Sequence, residues 1–270
     1  MVRPGDKEEC VVYVVAHYKV SHSRACKLFS YARSTKYYRK LMPQKDEAVK
    51  AVIVSVIGTK RRGRKKVIAM VQRKQPGLSA SKIRRVYEQQ GFSLYKKPGK
   101  PRFINPANTA ILPLKANVEW AIDFMHDSLI SGRKIRSLNI IDPYNRFCKG
   151  MFIASSIPAK RLIAMLEIAM AEYGKPKSIR TDNGPEFISK RFQLWLHTHQ
   201  IKWEKIQKGS PQENCFIERF NRTAREELFN ANLFSSINEA KELAEEFVKE
   251  YNTERPHESL KNQTPYEYAA

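Results

Sequence analysis

Two acids in the second half of the chain, Asp182 in R-T-D-N-G-P-E-F (180–187) and Glu218 in N-C-F-I-E-R-F-N-R (214–222), carry its strongest chemical signal, together with Asp123 upstream. The run I-R-T before Asp182 and the Asn-Gly turn after it predict a carboxylate at the end of a strand, with Pro185 starting the next helix. Glu218 falls inside a predicted helix. Folding that brings these three acids together would supply the oxygen donors that hard divalent cations prefer, with positions left open for phosphate and water. The chemistry predicted is therefore phosphodiester cleavage or transfer assisted by two Mg²⁺ ions, for which Mn²⁺ would substitute, bridged by Asp123 and flanked by Asp182 and Glu218.

The neighbouring acids fit other roles. Glu213 is the nearest rival to Glu218, but S-P-Q-E (210–213) reads as a capping box, with Ser210 as N-cap, Pro211 at N1 and Glu213 reaching back to the cap. At about 100° per residue, Asn214, Glu218, Asn221, Arg222 and Arg225 share a polar helix face opposite Phe216, Phe220 and Ala224. Glu218 would then point into a groove lined by Arg222 and Arg225, placed to hold a phosphate backbone. The loop before this helix contains Gly209 and is expected to move, with Lys208 near the nucleic acid. Asp142 in D-P-Y-N-R reads as a turn residue, Asp127 as a loop cap and Glu186 as a charge at a helix start.

The elements that position these residues can be read from charge and periodicity. The chain has 270 residues and a net charge of +22, distributed unevenly. Residues 1–116 hold 27 Lys and Arg against 6 Asp and Glu, whereas 117–270 hold 22 against 21. A field of that density attracts phosphate polymers, so double-stranded DNA is the expected partner. No run approaches the ~18 apolar residues of a spanning helix, and the start M-V-R-P-G-D-K-E-E is no signal peptide, so no membrane partner and a cytoplasmic location are expected. Cys10, Cys26, Cys148 and Cys215 never form C-x-x-C, the usage of a reducing compartment. Cys10 and Cys26 with His17 and His22 read as helix-face residues rather than a zinc site.

Five segments follow. Residues 1–45 read as a helix-turn-helix piece: helices at about 6–17, 21–29 with Ser21 as N-cap, and 33–41, the last carrying Arg33, Lys36 and Arg39 toward a DNA groove. Residues 46–94 form a second basic helical piece, with Arg61, Arg62, Arg64, Lys65 and Lys66 as DNA contacts and Gly91 as C-cap. Residues 95–116, rich in Pro, Gly and Lys, read as a basic linker. Residues 117–230 then alternate strands (120–126, 135–142, 147–154, 177–181, 201–206) with helices (159–173, 185–199 and the Glu218 helix), and 231–270 add a C-terminal helix and tail. Three consecutive strands followed by alternating α and β predict an α/β fold, a mixed sheet flanked by helices behind an all-α region, with Asp123 in the central strand.

D-F at 123–124, T-D-N-G-P-E-F at 181–187 and P-Q-E-N-C-F-I-E-R-F-N-R at 211–222 resemble the Asp-Asp-Glu core of retroviral-integrase-like transposases. With R-A-C-K-L-F-S-Y-A-R-S-T-K-Y-Y-R (24–39) and the tail Y-N-T-E-R-P-H-E-S-L and T-P-Y-E-Y-A, the chain is similar to the second-frame protein of bacterial insertion sequences made from two overlapping frames. R-G-R-K-K (62–66) stands where that group has an aromatic-Gly-aromatic-Arg element. The resemblance implies a ribonuclease-H-like core, 3′-end cleavage and strand transfer, and a branched intermediate leading to an excised circle. It also implies a homo-oligomer on nucleoid DNA and a first-frame protein as partner or fusion. The alternatives are a plain nuclease with the same core and a non-catalytic DNA-binding regulator.

Overall fold

The computed structural model describes residues 4–36, 42–58, 60, 62–94, 112–206 and 214–269. By compactness the chain divides into two units, Met1–Ala51 and Val52–Ala270. The observed division thus falls after Ala51 rather than after residue 45, and most of the second helical piece shares a unit with the sheet.

The first unit holds helices α1 (Pro4–Tyr18), α2 (His22–Leu28) and α3 (Arg33–Lys36) and the first part of α4 (Met42–Ile57). Ser21 caps α2 by accepting from the Arg24 N–H at 3.4 Å. Val11, Ala25, Cys26 and Tyr31 form a small core, with Val14, Val15 and Phe29 packed against it.

In the second unit α5 (Arg64–Lys74) and α6 (Ala80–Gln89) present Val67, Met70 and Val71 on one helix and Ile83, Val86 and Tyr87 on the other as their buried faces. Apolar side chains three and four residues apart make one stripe on a helix, which explains the pairing. Ser79 caps α6, and Gly91, at φ +72°, ends it in the left-handed conformation that glycine adopts without strain.

The sheet consists of β1 (Glu119–Ser128), β2 (Lys134–Ile141), β3 (Cys148–Ala154), β4 (Ser178–Thr181) and β5 (Lys202–Lys205), ordered β3-β2-β1-β4-β5. The first three make the expected antiparallel meander, and β4 and β5 add in parallel. Side chains alternate between faces along β1. Trp120 and Ile122 join Leu138 and Ile140 under α7 (Ala159–Tyr173) and α8 (Lys190–Thr198). Ala121 and Met125 join Ile141 and Ile153 under α9 (Cys215–Ala224) and α10 (Ile237–Thr253). A short 3-10 turn (Glu258–Leu260) and α11 (Pro265–Ala269) complete the chain. Each fully buried large side chain, such as Trp120, Phe192 or Phe220, stabilises the fold by about 2–3 kcal/mol relative to exposure.

Two elements differ from expectation. Helix α8 starts at Lys190, not at Pro185, because Ser189 caps it by accepting from the Phe192 N–H; Glu186 is thereby left in the preceding turn, paired with Arg136. Helix α4, which the sequence reading did not separate from its neighbours, runs back to Met42. The linker 95–116 lies outside the described residues as far as residue 111, as does the capping box 210–213. Among the described residues no helix is long and apolar enough to cross a membrane.

Candidate active site

The parallel pairing of β1 with β4 matches Ala121 to Arg180. Two residues further along each strand direction stand Asp123 and Asp182, level with one another at the same end of the sheet. The alternation that sends Ala121 and Met125 toward α9 sends Asp123 the same way, where α9 presents Glu218 and Asn221. Asp182 and Glu218 are exposed, and Asp123 is half-buried.

Asp123 and Asp182 are each held by hydrogen bonds. The Asp123 Oδ1 accepts from the Phe124 N–H at 2.8 Å, and its Oδ2 accepts from Asn221 Nδ2 at 2.8 Å. Asn221 Oδ1 in turn accepts from Asn139 Nδ2 at 2.7 Å, and Asn139 Oδ1 accepts from the Ser137 hydroxyl at 2.5 Å. Three elements, β2, α9 and β1, are thus joined by a hydrogen-bond chain whose donors all point toward Asp123. Asp182 Oδ1 accepts from the Gly184 N–H at 3.0 Å, and Asn183 ties this turn to β5 by donating to the Ile206 carbonyl at 3.1 Å. A Cβ on Gly184 would stand 3.2 Å from Asp182 Oδ1 and 3.3 Å from Phe187 Cδ2, so a side chain there would press on the carboxylate.

Burial, and then the negative charges of Asp182 and Glu218, push the Asp123 carboxyl up to about 6, against the opposing hydrogen bonds from Phe124 and Asn221. Three acids that repel one another across a shared space are the donor set that a divalent cation relieves. They do not form a closed ligand cluster in advance: among the described residues no three His, Cys, Asp or Glu side chains gather at ligand distance. A cation would have to draw them in.

The expected DNA contacts divide into several groups. Arg222 is exposed beside Glu218, and Arg33 is exposed on α3. The backbone of Lys36 ends α3, and Arg39, Arg61 and Lys208 lie outside the described residues. Arg62 is buried, donates to the Val56 carbonyl and pairs with Glu250, so its role is structural rather than DNA-binding. Arg64 pairs with Glu88, and Lys65 with Glu258 at 2.6 Å. Arg225 is pinned by Asp127 at 2.5 Å and the His126 carbonyl at 2.5 Å; Asp127 also accepts from the Ser128 N–H at 2.7 Å, so a local backbone cap stands beside an ion pair that the sequence did not show. Asp142 does make the expected turn, accepting from Tyr144 N, and additionally receives Asn117 N at 2.8 Å.

Sequence reasoning placed Asn221 on the Glu218 face but missed its bond to Asp123, and it missed Asn139 and Ser137 altogether. Alternation along β2 was the available signal, since two polar residues, 137 and 139, interrupt its inward face. Immediately after α9 a five-residue π-turn (Arg225–Phe229) follows, and in it Glu227 is buried against Arg255, which donates twice to it, once at 2.7 Å.

Against known proteins, the family described as Integrase core domain matches residues 113–211, and a second family profile of the same description matches 199–265. A 39.2 kDa protein of insertion element IS476 from Xanthomonas euvesicatoria is 29% identical over 99% of this chain and 78% of its own length. The putative transposase InsK of insertion sequence IS150 from Escherichia coli is 28% identical over 57% of this chain and 55% of its own. Among solved structures, a chain of the simian T-cell lymphotropic virus intasome, in complex with PP2A regulatory subunit B56 gamma, superposes with a TM-score of 0.50 at 16% identity, over 80% of this chain and 74% of that one. That likeness is one of fold, a mixed five-stranded sheet between helices of the ribonuclease-H-like kind.

Proposed function

Because the chain belongs to the integrase-core family of insertion-sequence transposases, we propose that its DNA transposase activity is 3′-end cleavage and strand transfer by Asp123, Asp182 and Glu218 with Mg²⁺ as cofactor. The observation that carries this reading is the convergence of strand ends and helix: the β1–β4 register sets Asp123 level with Asp182, and α9 delivers Glu218 to the same side. Two divalent ions held there would polarise the scissile phosphodiester and lower the pKa of the attacking water or 3′-hydroxyl. The residues of this chain do the rest. The hydrogen-bond chain from Ser137 through Asn139 and Asn221 fixes the orientation of Asp123, and Gly184 leaves room for Asp182 to turn inward. Arg222 lies one helical turn from Glu218, where it would hold the backbone of the bound strand. Duplex DNA, both element ends and target, is the substrate; further copies of this chain and the first-frame product are its partners. The helical residues before the sheet, 1–94, position the DNA, and 117–230 carry the chemistry.

The test is a strand-transfer assay with a pre-cut labelled element end in Mg²⁺. Asp182→Asn and Glu218→Gln keep shape and delete one charge each, so both should lose cleavage and joining while duplex binding persists. Wild-type-like joining by either variant would remove the assignment.

A further inference from the structure

The turn that carries Asp182 is fastened from the other side of the sheet. Arg136, on β2, pairs through its guanidinium with Glu186, four residues beyond Asp182, so the contact reaches past β1 to the turn after β4. The same guanidinium lies over the Phe124 ring at 4.3 Å, and Phe124 stacks on Phe187 with ring centroids 5.1 Å apart. Both rings of this stack meet the acids. Phe124 follows Asp123 and donates its N–H to Asp123 Oδ1 at 2.8 Å. Phe187 backs onto Gly184, where a Cβ would stand 3.3 Å from Phe187 Cδ2, 3.2 Å from Asp182 Oδ1 and 3.6 Å from Glu186 Oε2. The Ser189 hydroxyl donates to the Glu186 carbonyl at 2.7 Å and closes the turn on itself. Arg136 Nε is buried with no hydrogen-bond partner, a cost that weakens the pair as a device for stability alone.

The register of β1 and β4 runs only from Glu119 and Ser178 to Ala121 and Arg180, two residues short of both acids. The strand ladder therefore does not itself hold the spacing of Asp123 and Asp182. A catalytic constellation needs its oxygens within about 0.5 Å of the productive geometry, and the groups behind the ligands supply that precision. We propose, resting on the metal-dependent joining reading, that Arg136 is a positioning residue of this site. By holding Glu186 and covering Phe124, it fixes the spacing of Asp123 and Asp182 and thereby the affinity for the metal ions. Arginine suits the two contacts together, because its planar guanidinium offers an edge to a carboxylate and a face to a ring; a lysine ammonium has no such plane.

The experiment reads metal binding apart from activity. Mn²⁺ held by the full chain on a pre-cut duplex lacking the 3′-hydroxyl, which cannot be joined, is measured from the loss of the free-ion paramagnetic resonance. The same complex of Asp182→Asn gives the background. The Mg²⁺ concentration for half-maximal joining is taken on the ordinary end, and duplex affinity in EDTA at several salt concentrations. Arg136→Met and Glu186→Ala should each weaken Mn²⁺ binding and raise the Mg²⁺ midpoint by about tenfold or more, the usual effect of removing a group behind a metal ligand. The double variant should be no worse than the poorer single one, and the salt slope should not change. Arg136→Lys should shift both metal readings the same way by a smaller factor, and it serves if Arg136→Met does not fold. Unchanged metal readings in Arg136→Met or Arg136→Lys, whatever happens to Tm, overturn the positioning role. Single effects that multiply in the double variant overturn it too, since Arg136 would then not act through Glu186. A slope lowered by about 0.9 in Arg136→Met assigns Arg136 to direct phosphate contact and likewise overturns it. A parent chain that holds no more Mn²⁺ than Asp182→Asn sinks the metal reading itself, and the positioning role with it.

Discussion

Replacing Asp123 by Asn should make the metal-free protein more resistant to heat as pH rises, although it disables the site. The carboxyl is raised from 3.8 to about 6 by burial and by its two acidic neighbours, and two units correspond to about 3 kcal/mol between its protonation states. The folded chain therefore holds this proton more tightly than the unfolded chain does. Its contribution to stability is complete below about pH 4 and is lost as pH rises through 6. Asp123 keeps some contact with water, so about half of that figure is the reasonable size, or about 3–6 °C in Tm for a domain this large. Asn at 123 also turns an amide toward Asn221 Nδ2, a cost that does not depend on pH. Melting curves in EDTA between pH 4.5 and 8 should thus give a difference, variant minus wild type, that climbs through pH 6. Adding Asp182→Asn to both chains should shift that rise to lower pH, and CaCl₂ should stabilise only the chain with Asp123, chiefly above pH 6. A flat or falling difference curve between pH 5 and 7 would refute the account of the three carboxylates as converging charges.

Other sites give sharper contrasts. Arg255→Ala leaves Glu227 buried without its partner, which should cost about 3–5 kcal/mol and lower Tm by about 10 °C; a change near zero would mean that the pair is dispensable. Gly184→Ala forces Asp182 or Phe187 to move by a few tenths of an ångström, so strand transfer should fall about tenfold with little change in Tm, and an undiminished rate would show that the carboxylate is free to shift. Arg222→Ala should lower the salt slope of DNA binding by about 0.9, whereas Arg225→Ala, which breaks the contacts to Asp127 and His126, should act mainly on Tm. Equal slope changes for the two would return Arg225 to direct DNA contact.

The sequence made the sheet legible because its cues are local. A helix at 159–173 and the three-strand meander follow from periodicity and short polar turns, and the level placement of Asp123 and Asp182 follows once β1 and β4 run parallel. The start of α8 was misread because Pro185 is a good first helical residue, yet Ser189, four positions on, is the better cap. The function of the basic run 60–66 was only partly legible for a different reason: its partners are acids near the other end of the chain, and no local pattern reveals a pairing at a separation of 190 residues. The Asn221–Asp123 bond joins residues 98 apart and was hidden in the same way.

That long separation has a consequence for the order in which the protein is made. A ribosome adding about 5–20 residues per second would complete Lys60 and Arg62 roughly 10–40 s before Glu250 exists to receive them, and Glu258 and Glu267 come later still. During that interval Lys60, Arg62 and Lys65 are without the glutamates that they close on in the finished fold, whereas Arg64 already has Glu88. Only when residues 250–267 have left the exit tunnel can Lys60, Arg62, Lys65 and Arg73 close on Glu250, Glu258 and Glu267, so this contact is among the late ones to form as the chain is made.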